Sequence, residues 1–209
     1  MTSAEQLHAG IAALKLGLPA AAEQQLLAYM ALLAKWNRTY NLTAVRDETA
    51  MVGQHLLDSL TVLPHLGDIA TLADVGSGGG LPGLPLAIAL PELEVALIES
   101  SQKKASFLKQ VKIELKLANV NIYCDRVEAV FPQRPFDAVI SRAFSELAEF
   151  VGLAGHLLAK GRNLLAMKGV YPEQEISRLP VGWKMVQSIP LIVPGLDAQR
   201  NLIVIEKTE

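Results

Sequence analysis

The stretch "TLADVGSGGGLPGLPLAIAL" (residues 71–90) constrains the fold more than any other part of the chain. A short apolar run, Thr71–Val75, stops at a glycine cluster, and a helix-like run follows. A buried strand feeding a glycine turn and then a helix opens a parallel α/β sheet. The downstream sequence continues the alternation. Strand-like runs stand at "EVALIES" (94–100), "VNIYCD" (120–125), "FDAVISRA" (136–143) and "GRNLLAMKG" (161–169). Helical patterns separate them at 101–118, where Phe107, Leu108, Val111 and Leu115 share one side, and at 146–158. Two further strands, 183–193 and 200–207, follow with only "PGLDAQ" between them, so an antiparallel pair closes one edge. The expected fold is therefore an α/β, mostly parallel, seven-stranded sheet covered by helices on both faces and ending in a β-hairpin.

Upstream of residue 70 no strand pattern occurs. In "EQQLLAYMALLAKWNRTY" (23–40), Leu26, Met30, Leu33 and Trp36 or Asn37 recur at helical steps, widened by Leu27 and Tyr29. A second helix is expected over 48–66, broken near Pro64. The chain thus divides into a helical cap, 1–66, and a sheet domain, 67–209. The hydrophobic fraction, 51%, suffices for a sizeable core, yet no apolar run reaches the roughly 18 residues of a membrane span. The N-terminus lacks the basic and apolar blocks of a secretion signal. A single cysteine, Cys124, excludes an internal disulfide and a cysteine metal cluster, and the cytoplasm is the expected compartment. Net charge is −2, so any nucleic-acid contact must rest on a local basic patch.

The glycine loop fits two patterns. Gly78, Gly80 and Gly83 match G-x-G-x-x-G, the dinucleotide fingerprint, whereas Asp74, Gly76, Gly78 and Gly80 match D-x-G-x-G-x-G, a pattern of S-adenosylmethionine sites. Both need glycines for the tight turn and an acid at the end of the second strand for ribose hydroxyls, a position Glu99 fills. Asp74 discriminates. A carboxylate beside a pyrophosphate repels it, but it favours a sulfonium and an α-ammonium. The alternative is that Asp74 caps the glycine turn through backbone amides.

A wider set of motifs carries a family resemblance over residues 23–206: "KWNRTYNLTAVRD" (35–47), "HLLDSL" (55–60), "DVGSGGGLPGLPLAI" (74–88), "ESSQKKASFLKQV" (99–111), "DRVEAV" (125–130), "FDAVISRAF" (136–144), "MKG" (167–169) and "LDAQRNLIVI" (196–205). The chain resembles the bacterial small-subunit ribosomal RNA guanine-N7 methyltransferases, formerly called glucose-inhibited division protein B. The resemblance implies a Rossmann-like class I S-adenosylmethionine-dependent methyltransferase fold, methyl transfer to N7 of guanine 527 in 16S ribosomal RNA, and a monomer acting on that RNA or on the small ribosomal subunit. It implies that Gly76 and Leu81 line the cofactor pocket, that Val127 and Glu128 meet the adenine, and that Arg142 reaches the cofactor. Similar proteins often carry histidine where Asn201 stands.

Residue chemistry adds roles and their rivals. The loop after the third strand offers Asp125 and Glu128 as acceptors for an adenine edge; alternatively Glu128 is an exposed first-turn carboxylate. Arg142 ends a strand that points into the site, or forms a structural ion pair. Guanine N7 carries a lone pair and no proton, so the reaction needs no general base, and "SRAF" stands where amine methyltransferases carry a proline-rich loop. Lys103, Lys104, Lys168, Arg200 and Arg142 are candidate RNA-phosphate contacts at strand ends or following loops. Lys35, Arg38 and Arg46, with Trp36 and Tyr40 between them, offer a second basic and aromatic set, against which Trp36 also continues a core stripe. His55 and Asp58, one helical turn apart, are too few for a metal site and read as a hydrogen-bonded pair. The rival readings are an NAD-dependent dehydrogenase and a non-catalytic nucleotide-binding assembly factor.

Overall fold

In the computed structural model, residues 1–142, 144 and 146–208 are described. Helix α1 (Ser3–Ala13) starts in a capping box. Thr2 accepts from the Glu5 backbone N–H, and the Glu5 carboxylate accepts from that of Thr2. Helix α2 (Ala20–Tyr40) buries Leu26, Tyr29, Met30, Leu33 and Asn37, and stops where Asn41 adopts a left-handed conformation, φ 52°. The expected second helix is built from three pieces. Helix α3 (Glu48–Met51), capped by Asp47, passes through a π turn (Val52–Leu57) into helix α4 (Asp58–Leu60). A 3-10 turn over Leu63–His65 takes up Pro64.

The sheet then builds as β1 (Thr71–Val75), α5 (Gly83–Ala89), β2 (Glu94–Ile98), α6 (Gln102–Glu114), β3 (Val120–Tyr123), β4 (Phe136–Ser141), α7 (Leu147–Ala154), β5 (Leu158–Lys168), α8 (Glu173–Ser177), β6 (Trp183–Pro190) and β7 (Asn201–Lys207). Its seven strands lie in the order β3-β2-β1-β4-β5-β7-β6. Strands β1 to β5 are mutually parallel. Strand β7 lies antiparallel between β5 and β6, so the closing pair stands at one edge with its second strand inside. The order in which successive strands are added reverses between β1 and β4, which places a crevice at the carboxyl ends of these two parallel strands.

Side chains alternate cleanly between two buried layers. Leu72, Val95, Leu97, Ala138, Ile140, Leu165, Leu202 and Val204 join the layer shared with α1, α2, α5 and α6. Ala73, Val75, Ala96, Ile98, Val139, Leu164, Ala166, Ile203 and Ile205 join the layer under α7. Burial on both faces explains why the strands read as continuous apolar runs. The boundary at 66/67 separates chain segments but not cores: Leu7, Leu26, Leu33 and Leu57 pack in the same layer as Leu84 and Leu97. Among the described residues no helix is long and apolar enough to cross a membrane.

Candidate functional site

The carboxyl ends of β1 and β2 and the turn after β3 enclose a cleft of about 340 Å³, within the usual range of small-molecule sites, roughly 300–1,000 Å³. Val75, Gly76, Ile98, Glu99, Ser100, Asp125, Arg126, Val127, Glu128, Phe144 and Leu153 line it. A larger hollow, about 600 Å³, lies at the opposite edge beside Trp183 and Leu158. Among the described residues its lining holds no carboxylate and no residue of the glycine turn, so the smaller cleft is the candidate site.

Glu99 is the organising group of that cleft. It is buried, and each carboxylate oxygen accepts one backbone N–H: Oε2 from Gly78 at 2.9 Å and Oε1 from Ser101 at 2.8 Å. Each oxygen keeps further acceptor capacity, which a diol can use. The glycine loop is shaped to bring those amides in. Gly76, Gly78 and Gly80 have φ of 69°, 57° and 92°, a region costly for residues with a Cβ. The loop is also held from outside. The Tyr29 hydroxyl, buried in α2, donates to the Gly79 carbonyl at 2.6 Å, and burial pushes its pKa upward. Tyr29 was legible only as part of an apolar stripe, because nothing in the local pattern marks its distant loop partner.

Asp74 sits beneath this loop, fully buried. Its Oδ2 accepts from the Gly83 backbone N–H at 2.8 Å, at the start of α5. This is the backbone-capping alternative, realised one turn beyond the glycines. Its Oδ1 is buried without a partner, and burial pushes the carboxyl up to about 7. Gly76, and Val127 and Glu128 for which the resemblance implies adenine contact, line the cleft, as does Asp125. Glu128 is exposed, in the first turn of the 3-10 helix Val127–Ala129. Gly78 and Leu81 stand outside the lining: Gly78 acts through its N–H on Glu99, and Leu81 is buried in the core layer under α5. In the "SRAF" segment Ala143 lies outside the described residues, whereas Phe144 lines the cleft.

Arg142 leaves the end of β4 and turns toward the helical segment. Its Nη1 donates to Asp58 Oδ2 at 3.1 Å and to the Gln54 carbonyl at 3.2 Å. Asp58 Oδ1 accepts from Arg200 Nε at 2.9 Å. The structural ion pair considered for Arg142 is therefore present, and it includes Arg200. This arrangement overturns the expected His55–Asp58 pair. His55 Nε2 meets the Thr43 hydroxyl at 2.8 Å, and burial, reinforced by the Arg142 charge, lowers its pKa to about 4. A neutral imidazole is the better neighbour for two guanidinium groups.

The expected phosphate contacts separate. Lys168 is a correction: its Nζ donates to Glu175 at 2.7 Å and to the Phe144 carbonyl at 3.0 Å, and its side chain is only 11% exposed. Its charge ties the segment after β4 to α8 instead of facing solvent. Lys103, exposed in the first turn of α6, holds its Nζ 5.7 Å from the Tyr40 ring centre. Lys104, next to it, has its backbone N–H against the capping hydroxyl of Ser101. Trp36 packs between Tyr40 and Phe107, at ring separations of 5.2 and 5.6 Å, which fits the core-stripe reading. Asn201, at the position where histidine often stands, donates to the Gly169 carbonyl at 2.7 Å.

Comparisons with known proteins agree with this geometry. The family model described as "rRNA small subunit methyltransferase G" matches residues 22–203. A protein of Aromatoleum aromaticum named "Ribosomal RNA small subunit methyltransferase G" is 58% identical over 209 residues, covering 98% of this chain and 99% of that one. One of the same name from Neisseria meningitidis serogroup C is 52% identical over 207 residues, covering 99% and 100%. Among solved structures, the O-methyltransferase from Bacillus cereus in complex with SAH superposes with a TM-score of 0.61 at 16% identity, covering 87% of this chain and 91% of that one. The mitomycin 7-O-methyltransferase gives 0.64 at 16% identity, covering 77% and 56%. These structures share the Rossmann-like methyltransferase fold. The match over most of the length and the high identity to full-length relatives lead to one conclusion: the chain belongs to the rRNA small subunit methyltransferase G family.

Proposed function

We propose that this protein transfers the methyl group of S-adenosyl-L-methionine to N7 of a guanine in 16S ribosomal RNA, guanine 527 being the expected position. The observation that carries the reading is the Glu99 carboxylate, fixed by two backbone amides in a cleft floored by glycine. Its spare lone pairs suit the ribose diol of a nucleoside. The apolar walls at Val127, Ile98 and Leu153 suit an adenine, with Asp125 and Glu128 at its edge. Asp74, buried against Gly83 and outside the cleft lining, does not meet the ligand directly, so its charge does not choose between the two cofactors, and family membership is what counts against the dehydrogenase reading. When bound, the cofactor supplies an electrophilic methyl on a sulfonium.

This chain's residues then have to orient the acceptor and exclude water, because guanine N7 presents a lone pair and no proton to remove. Arg142 and Arg200, held on Asp58, with the exposed Lys103 and the half-buried Lys104, supply positive charge for the RNA backbone despite the net charge of −2. The enzyme is expected to act as a cytoplasmic monomer on free RNA or on the small subunit. Incubation of unmethylated small subunits with labelled cofactor, followed by mapping of N7-methylguanine, tests the function. Incorporation at a guanine N7 that depends on the protein supports it; stabilisation of the protein by NAD alone in a thermal-shift panel, without methyl transfer, would end it.

A further inference from the structure

The bridge Arg142–Asp58–Arg200 gathers three charged side chains at the carboxyl edge of the sheet, and neither the cofactor cleft nor base-free chemistry accounts for its carboxylate. Asp58 is 2% exposed, and each of its oxygens is taken by a different guanidinium. The two arginine side chains remain 28% and 27% exposed, and Arg200 Nη1 also donates to the Gln199 carbonyl at 2.8 Å. They come from opposite sides of the sheet's working edge: Arg142 directly follows β4, and Arg200 directly precedes β7. Two guanidinium groups repel, and only a shared anion draws them together. A buried carboxylate, in turn, is tolerated only when its charge is fully matched. Asp58 emerges from the π turn, a helix distortion frequent at functional sites. Other charged or titratable groups around it are held elsewhere: His55 against Thr43, and Asp74 against Gly83.

We propose that Asp58 is a positioning residue: it aligns Arg142 and Arg200 as a preset pair of donors for an oxyanion of the substrate, a phosphodiester group of the RNA. This rests on the methyltransferase reading above. Arg142, bonded through Nη1 to Asp58 and Gln54, keeps Nε and Nη2 for an oxyanion, and Arg200, bonded through Nε to Asp58 and Nη1 to Gln199, keeps Nη2; donors already fixed in this way reduce what must be ordered when a phosphate arrives.

The test substitutes Asp58→Asn, which preserves shape and one acceptor oxygen but removes the charge. It separates position from charge because it makes the site more positive. Measured at saturating cofactor on folded protein, kcat is expected to fall at least tenfold, while RNA affinity by filter binding stays equal or tightens. A kcat within twofold of wild type would overturn the proposal, as would a loss confined to RNA affinity. A second readout needs no catalysis. In wild-type protein without ligands, the Arg200 Nε–H should give a slowly exchanging NMR signal that Asp58→Asn abolishes; a rapidly exchanging wild-type signal would remove the bridge itself. If Asp58→Asn does not fold, the cycle of Arg142→Lys, Arg200→Lys and the double variant decides. A combined loss well below the product of the single losses supports a shared anchor, and multiplicative losses refute it. Failure of the wild-type enzyme to methylate ribosomal RNA would instead sink the proposed function, and the NMR arm would still report on the bridge.

Discussion

Glu99→Ala gives the sharpest test of the cofactor assignment. In the native chain the carboxylate accepts from Gly78 N–H and Ser101 N–H, at 2.9 and 2.8 Å, and so fixes both the glycine turn and its own orientation in the cleft. Its spare lone pairs are the only part that a bound nucleoside diol would use. Hydrogen bonds to charged groups contribute about 1.5–3 kcal/mol, so losing one such net interaction should weaken binding by about 10- to 150-fold. The two internal bonds also vanish, which leaves Gly78 N–H without its partner and loosens the turn, so the effect should not fall below that range. Glu99→Gln is informative beside it. The amide has one acceptor oxygen for two backbone donors, so its NH2 must face one of them. Gln should therefore lose most of the affinity although it keeps the size of the side chain. Titration calorimetry with S-adenosylhomocysteine measures both, with circular dichroism to show that the variants are folded. Wild-type affinity in both would refute the reasoning, because it would mean that the ligand does not meet this carboxylate.

The loop glycines should differ in what they tolerate. Gly78→Val is strained by φ 57° but meets only the Gly76 carbonyl at 3.8 Å, so it should cost about 1–2 kcal/mol and reduce cofactor binding; Gly80→Ala adds to a φ of 92° an overlap with Leu84 and Leu108, and should cost about 2–4 kcal/mol in urea unfolding. Asp74 binds a proton in the folded chain up to about pH 7, whereas the unfolded chain loses it near 3.8; its contribution is therefore full below 3.8 and lost as pH rises toward 7, by about 1 kcal/mol per unit, and Asp74→Asn should flatten urea-derived stability across that window. At saturating cofactor, the single-turnover rate should stay nearly flat from about pH 6.5 to 8.5, since N7 attack requires no deprotonation; a limb of unit slope would reveal an essential base.

Strand order shows how sequence limits what can be read. The parallel core was legible because burial on both faces forces apolar runs such as Leu72–Val75 and Val95–Ile98. The closing pair was legible too, from the missing helix between its members. That β7 is interior and β6 is the edge follows from a contrast already in the residues: Leu202–Ile205 are all buried, while β6 alternates with exposed Lys184, Val186 and Gln187. Helix α1 fell within the stretch expected to be helical without being marked off, and helix α8 passed unseen. The five residues of α8 bury no side chain and are stabilised by distant partners, as when Glu175 accepts from Leu147 N–H and Lys168.

The site divides along the same line, between groups that act on their chain neighbours and groups that act across the fold. Glu99 could be read because its position is set by strand length and by the turn it faces. Asp58 could not. Its partners lie 84 and 142 residues away, and the nearest titratable neighbour in sequence, His55, is the wrong one. A helical spacing puts His55 and Asp58 within reach only if the helix is regular, and here the π turn lies over Val52–Leu57, between Met51 and Asp58. Once the backbone leaves the α register, Asp58 is free to face the ends of β4 and β7, and the two arginines find it. The same logic moved Lys168 off the list of phosphate contacts. A lysine at a strand end reads as open to solvent until a later helix, α8, brings Glu175 against it. Cations at the rim of such a sheet can be named from sequence, but which of them is free for RNA is decided by the acids that the intervening helices deliver.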